Sequence, residues 1–193
     1  MAGARGPNAA GRASKTRIIR AASGLVERLG HRSVSIKQVA HEANLTDAGV
    51  LHHFPTRENL LTGVRDARDA DDDAAFRSGS SIDGFLQLMR ANMSRPNIVR
   101  LFATMSAEAT AVDNPVHEEF VSRYARAATE LAADIRARQE SGEFRADCDP
   151  LALAQLVIAA ADGLQVQWLY DESVAVPDIL AIIPLLLRTG AQR

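Results

Sequence analysis

Residues 35–58, SIKQVAHEANLTDAGVLHHFPTRE, decide how the rest of the chain is read. Ser35 and Gln38 have the spacing of a capping box, in which each side chain satisfies a free backbone N–H of the other residue, so a helix is predicted to start at Ile36. Ile36, Val39, Ala40 and Ala43 then fall on one apolar face. Asn44 tolerates the left-handed backbone that a helix-ending turn requires. Thr46 is a good N-cap for a second helix, with Val50 and Leu51 expected to face inward and Phe54 and Pro55 to close it. Thr56 is the predicted cap of the helix after that, with Glu58 in its first turn, where the helix dipole favours an anion.

A helix of about two turns with so little apolar surface is built to be presented rather than to form a core. In a helix-turn-helix the second helix lies in the major groove of DNA and its N-terminal residues meet the base edges. Those residues here are Thr46, Asp47, Ala48 and Gly49. Thr46 and Lys37 can donate to phosphates, and Ala48 and Gly49 allow close backbone approach or contact with a thymine methyl. Asp47 can accept from a cytosine amine, or serve only as a first-turn helix acid. Ser35, His52, His53 and Arg57 complete the expected interface, with His53 favoured over His52 for phosphate contact and Arg57 donating beside a helix N-terminus.

The segments RIIRAASGLVERLG (17–30) and SIKQVAHEANLTDAGVLHHFPTRENLLTGV (35–64) resemble the TetR family of transcriptional regulators. The resemblance rests on the order of an Ala-Ala helix, a closing Gly, the capped second helix and HHFPTRENLL. Asn44 replaces the turn glycine usual in the family, and Leu51 replaces an aromatic whose hydroxyl would reach a phosphate. The resemblance implies a regulator, usually a repressor, that pairs its terminal helices in a homodimer, binds a double-stranded operator and is released by a small molecule. A cytoplasmic location is expected from the residues themselves, since the opening stretch lacks an apolar signal region.

A net charge of −2 argues against a nucleic-acid binder until its distribution is considered. Through His41 there are eight basic residues and one acid, Glu27, which leaves fourteen basic and twenty-three acidic side chains for the remainder. A basic front on an acidic body suits a molecule of which one end approaches phosphates. The opening MAGARGPNAAGRASK has no apolar signal region, and no run of eighteen apolar residues suggests a membrane span. The lone Cys148, between Asp147 and Asp149, is expected to be an inert, partly buried thiol.

Helical periodicity throughout, with no convincing strand, predicts an all-α protein of about nine helices. Residues 1–14 read as a disordered tail, 15–62 as the DNA-binding domain and 63–193 as a ligand-binding and dimerisation domain. Helix one is expected from Lys15, with Ile18, Ala21, Ala22, Leu25, Val26 and Leu29 as its apolar stripe and Gly30 as its stop. Leu60, Leu61 and Val64 should pack onto this unit, followed by an acid-rich stretch from Asp66 to Asp73. Further helices are predicted from Ser81 to about Met93, Pro96 to about Val112, beyond Pro115 to Glu140, and Pro150 to Tyr170. A final helix starting at Pro177 should break at Pro184, which lacks the N–H that would bond Leu180.

Met89, Met93, Phe102, Met105, Phe120, Tyr124, Gln165 and Trp168 are the candidate lining of a pocket for a small, apolar effector, since Met adapts to apolar guests and the last three carry orienting polar groups. Leu156, Ala160, Gly163, Leu164, Leu180, Ile183 and Leu187 are the candidate dimer interface. A helical enzyme is the rival from another class. Against it, the sequence shows no nucleophile–base pairing, phosphate loop or His-Glu-x-x-His, and implies no metal or cofactor. A dimerising adaptor with degraded DNA binding is the third reading, motivated by Asp47 and Leu51.

Overall fold

The computed structural model describes residues 7–75 and 81–189. Among the described residues there are ten α-helices, one 3-10 turn and a single isolated bridge between Phe144 and Arg188. The chain divides into two compact units, Met1–Ala70 and Asp71–Arg193.

In the first unit α1 spans Pro7–Leu29, a 3-10 turn covers His31–Ser33, α2 spans Ile36–Glu42, α3 spans Asp47–His53, and α4 starts at Arg57 and runs to Ala75. Helix α1 begins well before the expected Lys15. Pro7 suits the first helical position, and Ala9, Ala10, Arg12 and Ala13 are strong helix formers, so residues 7–14 are not the disordered tail their small-residue composition suggested. Residues 1–6, with Arg5 of that tail, lie outside the described residues. Ile18, Ala21, Ala22, Leu25 and Val26 are buried as the stripe requires, but Leu29 in the last turn is 48% exposed. Val39 and Ala40 of α2, its C-cap Ala43, Val50 and Phe54 around α3, and Leu60, Leu61 and Val64 of α4 are buried as well. Because those α4 residues bury with the first unit, the division falls after Ala70 rather than after residue 62.

Gly63 is where α4 must come closest to its neighbours. A Cβ there would lie 2.7 Å from Cδ1 of Ile19 and 2.8 Å from Cε1 of Phe54. Gly30 closes α1 at φ 74°, and Asn44 takes the left-handed turn at φ 52°.

The second unit contains α5 (Ile82–Asn92), α6 (Pro96–Glu108), α7 (His117–Glu140), α8 (Pro150–Tyr170), α9 (Val176–Leu180) and α10 (Ile182–Leu187). Ser81 caps α5, accepting from Gly84 N at 3.1 Å, and Asp149 caps α8, accepting from Ala152 N at 2.9 Å. One core joins Leu131, Ile135 and Ala128 of α7 to Ala154, Val157 and Ile158 of α8, Ile82 and Phe144. A second joins Met89, Val99, Ala161, Trp168, Val176 and Leu180. Arg138 fastens this unit by ion pairs to Asp83, to Asp134 at 3.2 Å and to Glu143 at 3.1 Å, while Asp134 accepts from Ile82 N at 3.0 Å.

The break in the last helix lies at Ala181 instead of Pro184. The bond that proline cannot donate to Leu180 is lost there, and Pro184 then sits in the first turn of α10, where no N–H partner is needed. By length and composition alone α8 is long and apolar enough to cross a membrane, although part of its surface is buried in the fold. Its apolarity on several faces has a local cause: one face is core, and another is an uncovered stripe.

Candidate nucleic-acid interface and ligand cavity

The helix-turn-helix is built as its caps dictate. Gln38 N donates to Ser35 Oγ at 3.3 Å and Ser35 N donates to Gln38 Oε1 at 2.9 Å, which closes the capping box. Gly49 N donates to Thr46 Oγ1 at 3.1 Å and fixes the start of α3. Asn59 N donates to Thr56 Oγ1 at 3.0 Å and fixes the start of α4.

Val50 (0% exposed) anchors α3 from below. Thr46, Asp47 and Ala48 are exposed at its N-terminus and Gly49 is half-buried. Ser35 and Lys37 at the start of α2 and His52 are exposed, and His53 is half-buried. The two histidine rings meet edge to face at 5.3 Å. Leu51 is 41% exposed, not inward-facing: on a helix anchored through Val50, the next side chain turns about 100° away.

Arg57 departs most from the sequence reading. Its Nε donates to the carbonyl of Val34 at 3.0 Å, and one Nη donates to the carbonyl of His31. The guanidinium thus latches the turn between α1 and α2 onto the start of α4, and two of its nitrogens are already engaged. Lys15 lies 5.6 Å from the centroid of the Phe54 ring, tying α1 to the end of α3.

The eight residues expected to line one pocket are dispersed. Met89 and Trp168 belong to the second core, with Met93 packed against it. Gln165 is buried, accepts from Asn92 Nδ2 at 3.1 Å and donates to Ala161 O at 3.3 Å, so its amide is used within the fold. Met105 and Phe120 are buried, and Phe102 lies 5.9 Å from Phe120 and 6.5 Å from Tyr124, ring to ring. Of the eight, Tyr124 alone lines the cavity of about 480 Å³ between α7 and α8. Leu151, Ile158, Ala125, Ala128 and Ala159 supply its apolar walls. Its polar groups are Tyr124, Asp162, Thr129 and Gln155.

Asp162 was not anticipated, although a signal existed, since it is the one charged side chain within Pro150–Tyr170. Tyr124 donates its hydroxyl to Asp162 Oδ2 at 2.8 Å. Burial raises the Asp162 carboxyl above its ordinary range, opposed by the Tyr124 hydrogen bond and by Arg123. Burial, reinforced by the Asp162 charge, likewise raises the Tyr124 phenol.

The expected dimer residues also divide. Leu180 and Leu187 are buried in the chain's own core, and Ala160, Leu164 and Ile183 pack against it, because α9 and α10 fold back on their neighbours. Leu156 and Gly163 are exposed. They belong to a stripe along α8, Ala152, Leu156, Ala159, Gly163, Val166 and Tyr170, whose alternating steps of four and three keep one face exposed along the helix. Leu156 is 62% exposed and Tyr170 90%. Ile179, Ile182, Leu185 and Leu186 add further exposed apolar surface on α9 and α10.

Comparison with known proteins agrees with this architecture. Residues 18–64 match the family described as bacterial regulatory proteins, tetR family, and residues 84–184 match the BetI-type transcriptional repressor C-terminal domain. None of the curated proteins matches in sequence. A TetR-family regulator from Cytophaga hutchinsonii superposes with a TM-score of 0.72 at 15% identity, covering 93% of this chain and 97% of its own. FadR from Bacillus subtilis in complex with stearoyl-CoA gives 0.69 at 14% identity, covering 91% of this chain and 98% of its own. The SmeT–triclosan complex gives 0.69 at 14% identity, covering 93% of each chain. With residues 18–64 and 84–184 both matched, most of its length, the chain belongs to the TetR family of bacterial transcriptional regulators.

Proposed function

We propose that this chain is a homodimeric repressor that binds a palindromic operator through α3 and releases it when a small molecule occupies the α7/α8 cavity. The carrying observation is the start of α3: a capped helix, anchored by Val50, whose Thr46, Asp47 and Ala48 project into solvent with nothing of the same unit covering them. Ser35, Lys37, Gly49, His52 and His53 flank that surface as phosphate or base contacts, and Arg57 acts chiefly by holding it in shape. The uncovered stripe on α8 supports pairing of two copies, and a two-fold dimer supplies two reading helices for half-sites about 34–36 Å apart. The complexes of FadR with stearoyl-CoA and SmeT with triclosan support small-molecule response. Release would follow from stronger effector binding to the conformation with lower operator affinity.

The test is binding to duplexes from upstream of the neighbouring gene, measured across salt concentrations. Affinity is expected to fall steeply with salt, as release of phosphate counterions requires, and Ala48→Glu is expected to abolish it. Salt-independent binding, or an Ala48→Glu variant that binds as the parent does, refutes the placement of the reading helix.

A further inference from the structure

Four polar side chains line the cavity between α7 and α8, Tyr124, Thr129, Gln155 and Asp162, and only Asp162 among them is a carboxyl. Asp162 receives one hydrogen bond, at Oδ2 from Tyr124, and joins no ion pair among the described residues. Thr129 uses its hydroxyl hydrogen on the carbonyl of Ala125 at 2.8 Å, so towards the cavity it too offers an acceptor. Arg123, the nearby cation, is stacked over Phe102 at 5.1 Å and does not line the space.

We propose that this cavity binds an organic cation with an apolar body: an ammonium group held by Asp162 Oδ1, and a hydrocarbon portion against Leu151, Ile158 and the alanines of both helices. This gives a chemical class to the effector site of the proposed regulator. It rests on that reading only for what binding does to DNA affinity. A half-buried carboxyl in no ion pair, its charge only partly offset by Arg123, is unfavourable when ionised, and a ligand that brings a cation into contact removes that cost. An anionic ligand adds a like charge, and a neutral one leaves the carboxylate unpaired. A volume of about 480 Å³ suits a molecule with a chain of several carbons.

The experiment is calorimetric titration of the full chain with octylammonium, octanol and octanoate. Octylammonium is expected to bind at least about tenfold more tightly than either of the others, as a charge-assisted hydrogen bond implies. Asp162→Asn should remove that preference. Leu151→Arg at the rim, where the native side chain is 42% exposed, should weaken octylammonium and favour octanoate, and serves if the first variant does not fold. Equal or tighter binding of octanol or octanoate, or octylammonium affinity unchanged in Asp162→Asn, overturns the cation assignment. No binding of any of the three overturns the site. Octylammonium binding that leaves operator affinity unchanged upholds the site and refutes ligand release alone.

Discussion

Substitution at Gly163 tests the stability of one chain apart from the proposed pairing of two. A Cβ built on it meets no heavy atom within 4 Å, so a side chain there displaces nothing in the folded chain. Removing a helix-interior glycine is worth about 0.8–1.0 kcal/mol relative to alanine, and arginine is nearly as good a helix former. Gly163→Arg should therefore leave the monomer fold intact and slightly more stable. In a two-fold interface the same substitution appears twice, placing two guanidinium groups between helices that need small residues to approach. Burying a charge without a partner costs several kcal/mol, so the dimer dissociation constant should rise by about a hundredfold or more. Sedimentation equilibrium over a concentration series reads the association, and urea unfolding of the same variant reads the fold. Gly163→Ala is the matched control and should remain paired. If Gly163→Arg dimerises as tightly as the parent, α8 is not the seam. If it loses helical structure as well as pairing, the open space at this position has been misread.

Arg57→Ala should lower stability by about 1–3 kcal/mol, because the carbonyls of His31 and Val34 lose their charged donor, and DNA affinity should fall equally for all sequences. Denaturant unfolding that matches the parent would show that the latch contributes nothing. Thr46→Ala removes the acceptor for Gly49 N and should cost about 1 kcal/mol. Thermal unfolding checks it, and an unchanged midpoint refutes the cap's contribution. For Asp162 the sign follows from its raised folded pKa: the native chain holds this proton more tightly than the unfolded one, so its contribution to stability is fully present at low pH and is lost as pH rises through the folded value. Tyr124 and Arg123 are the ionisable neighbours on α7 that bias this titration. Asp162→Asn should consequently stabilise the unliganded protein at neutral pH, and the gain should shrink on acidification. Urea midpoints of parent and variant across pH measure it, and a gain that grows towards low pH reverses the argument.

The first unit was largely legible because its information is local. Ser35 with Gln38, Thr46 with Gly49 and Thr56 with Asn59 are caps that need only sequence spacing, and Asn44 announced its own left-handed turn. The extent of α1 was missed because Pro7, Asn8 and Gly11 look like a linker when the intervening alanines are discounted. In the second unit the apolar period identified which residues are buried but not what they bury against. Leu180 and Leu187 were thus assigned to a partner although their own chain covers them. Met89 and Trp168 were assigned to a cavity although they belong to the core, and Gln165 although its amide is hydrogen-bonded within the fold. Arg57 was read from its position beside a helix N-terminus, whereas its actual partners lie 23 and 26 residues earlier in the chain.

Ala159 belongs both to the exposed stripe of α8 and to the wall of the cavity. A guest in the cavity and a second copy on the stripe would therefore press on opposite sides of one methyl group. Reciprocity then requires that whatever pairing does to guest affinity, the guest does by the same factor to pairing. A dilution series deep enough to separate the copies should accordingly shift the ligand isotherm, and saturating ligand should shift the dilution curve to match.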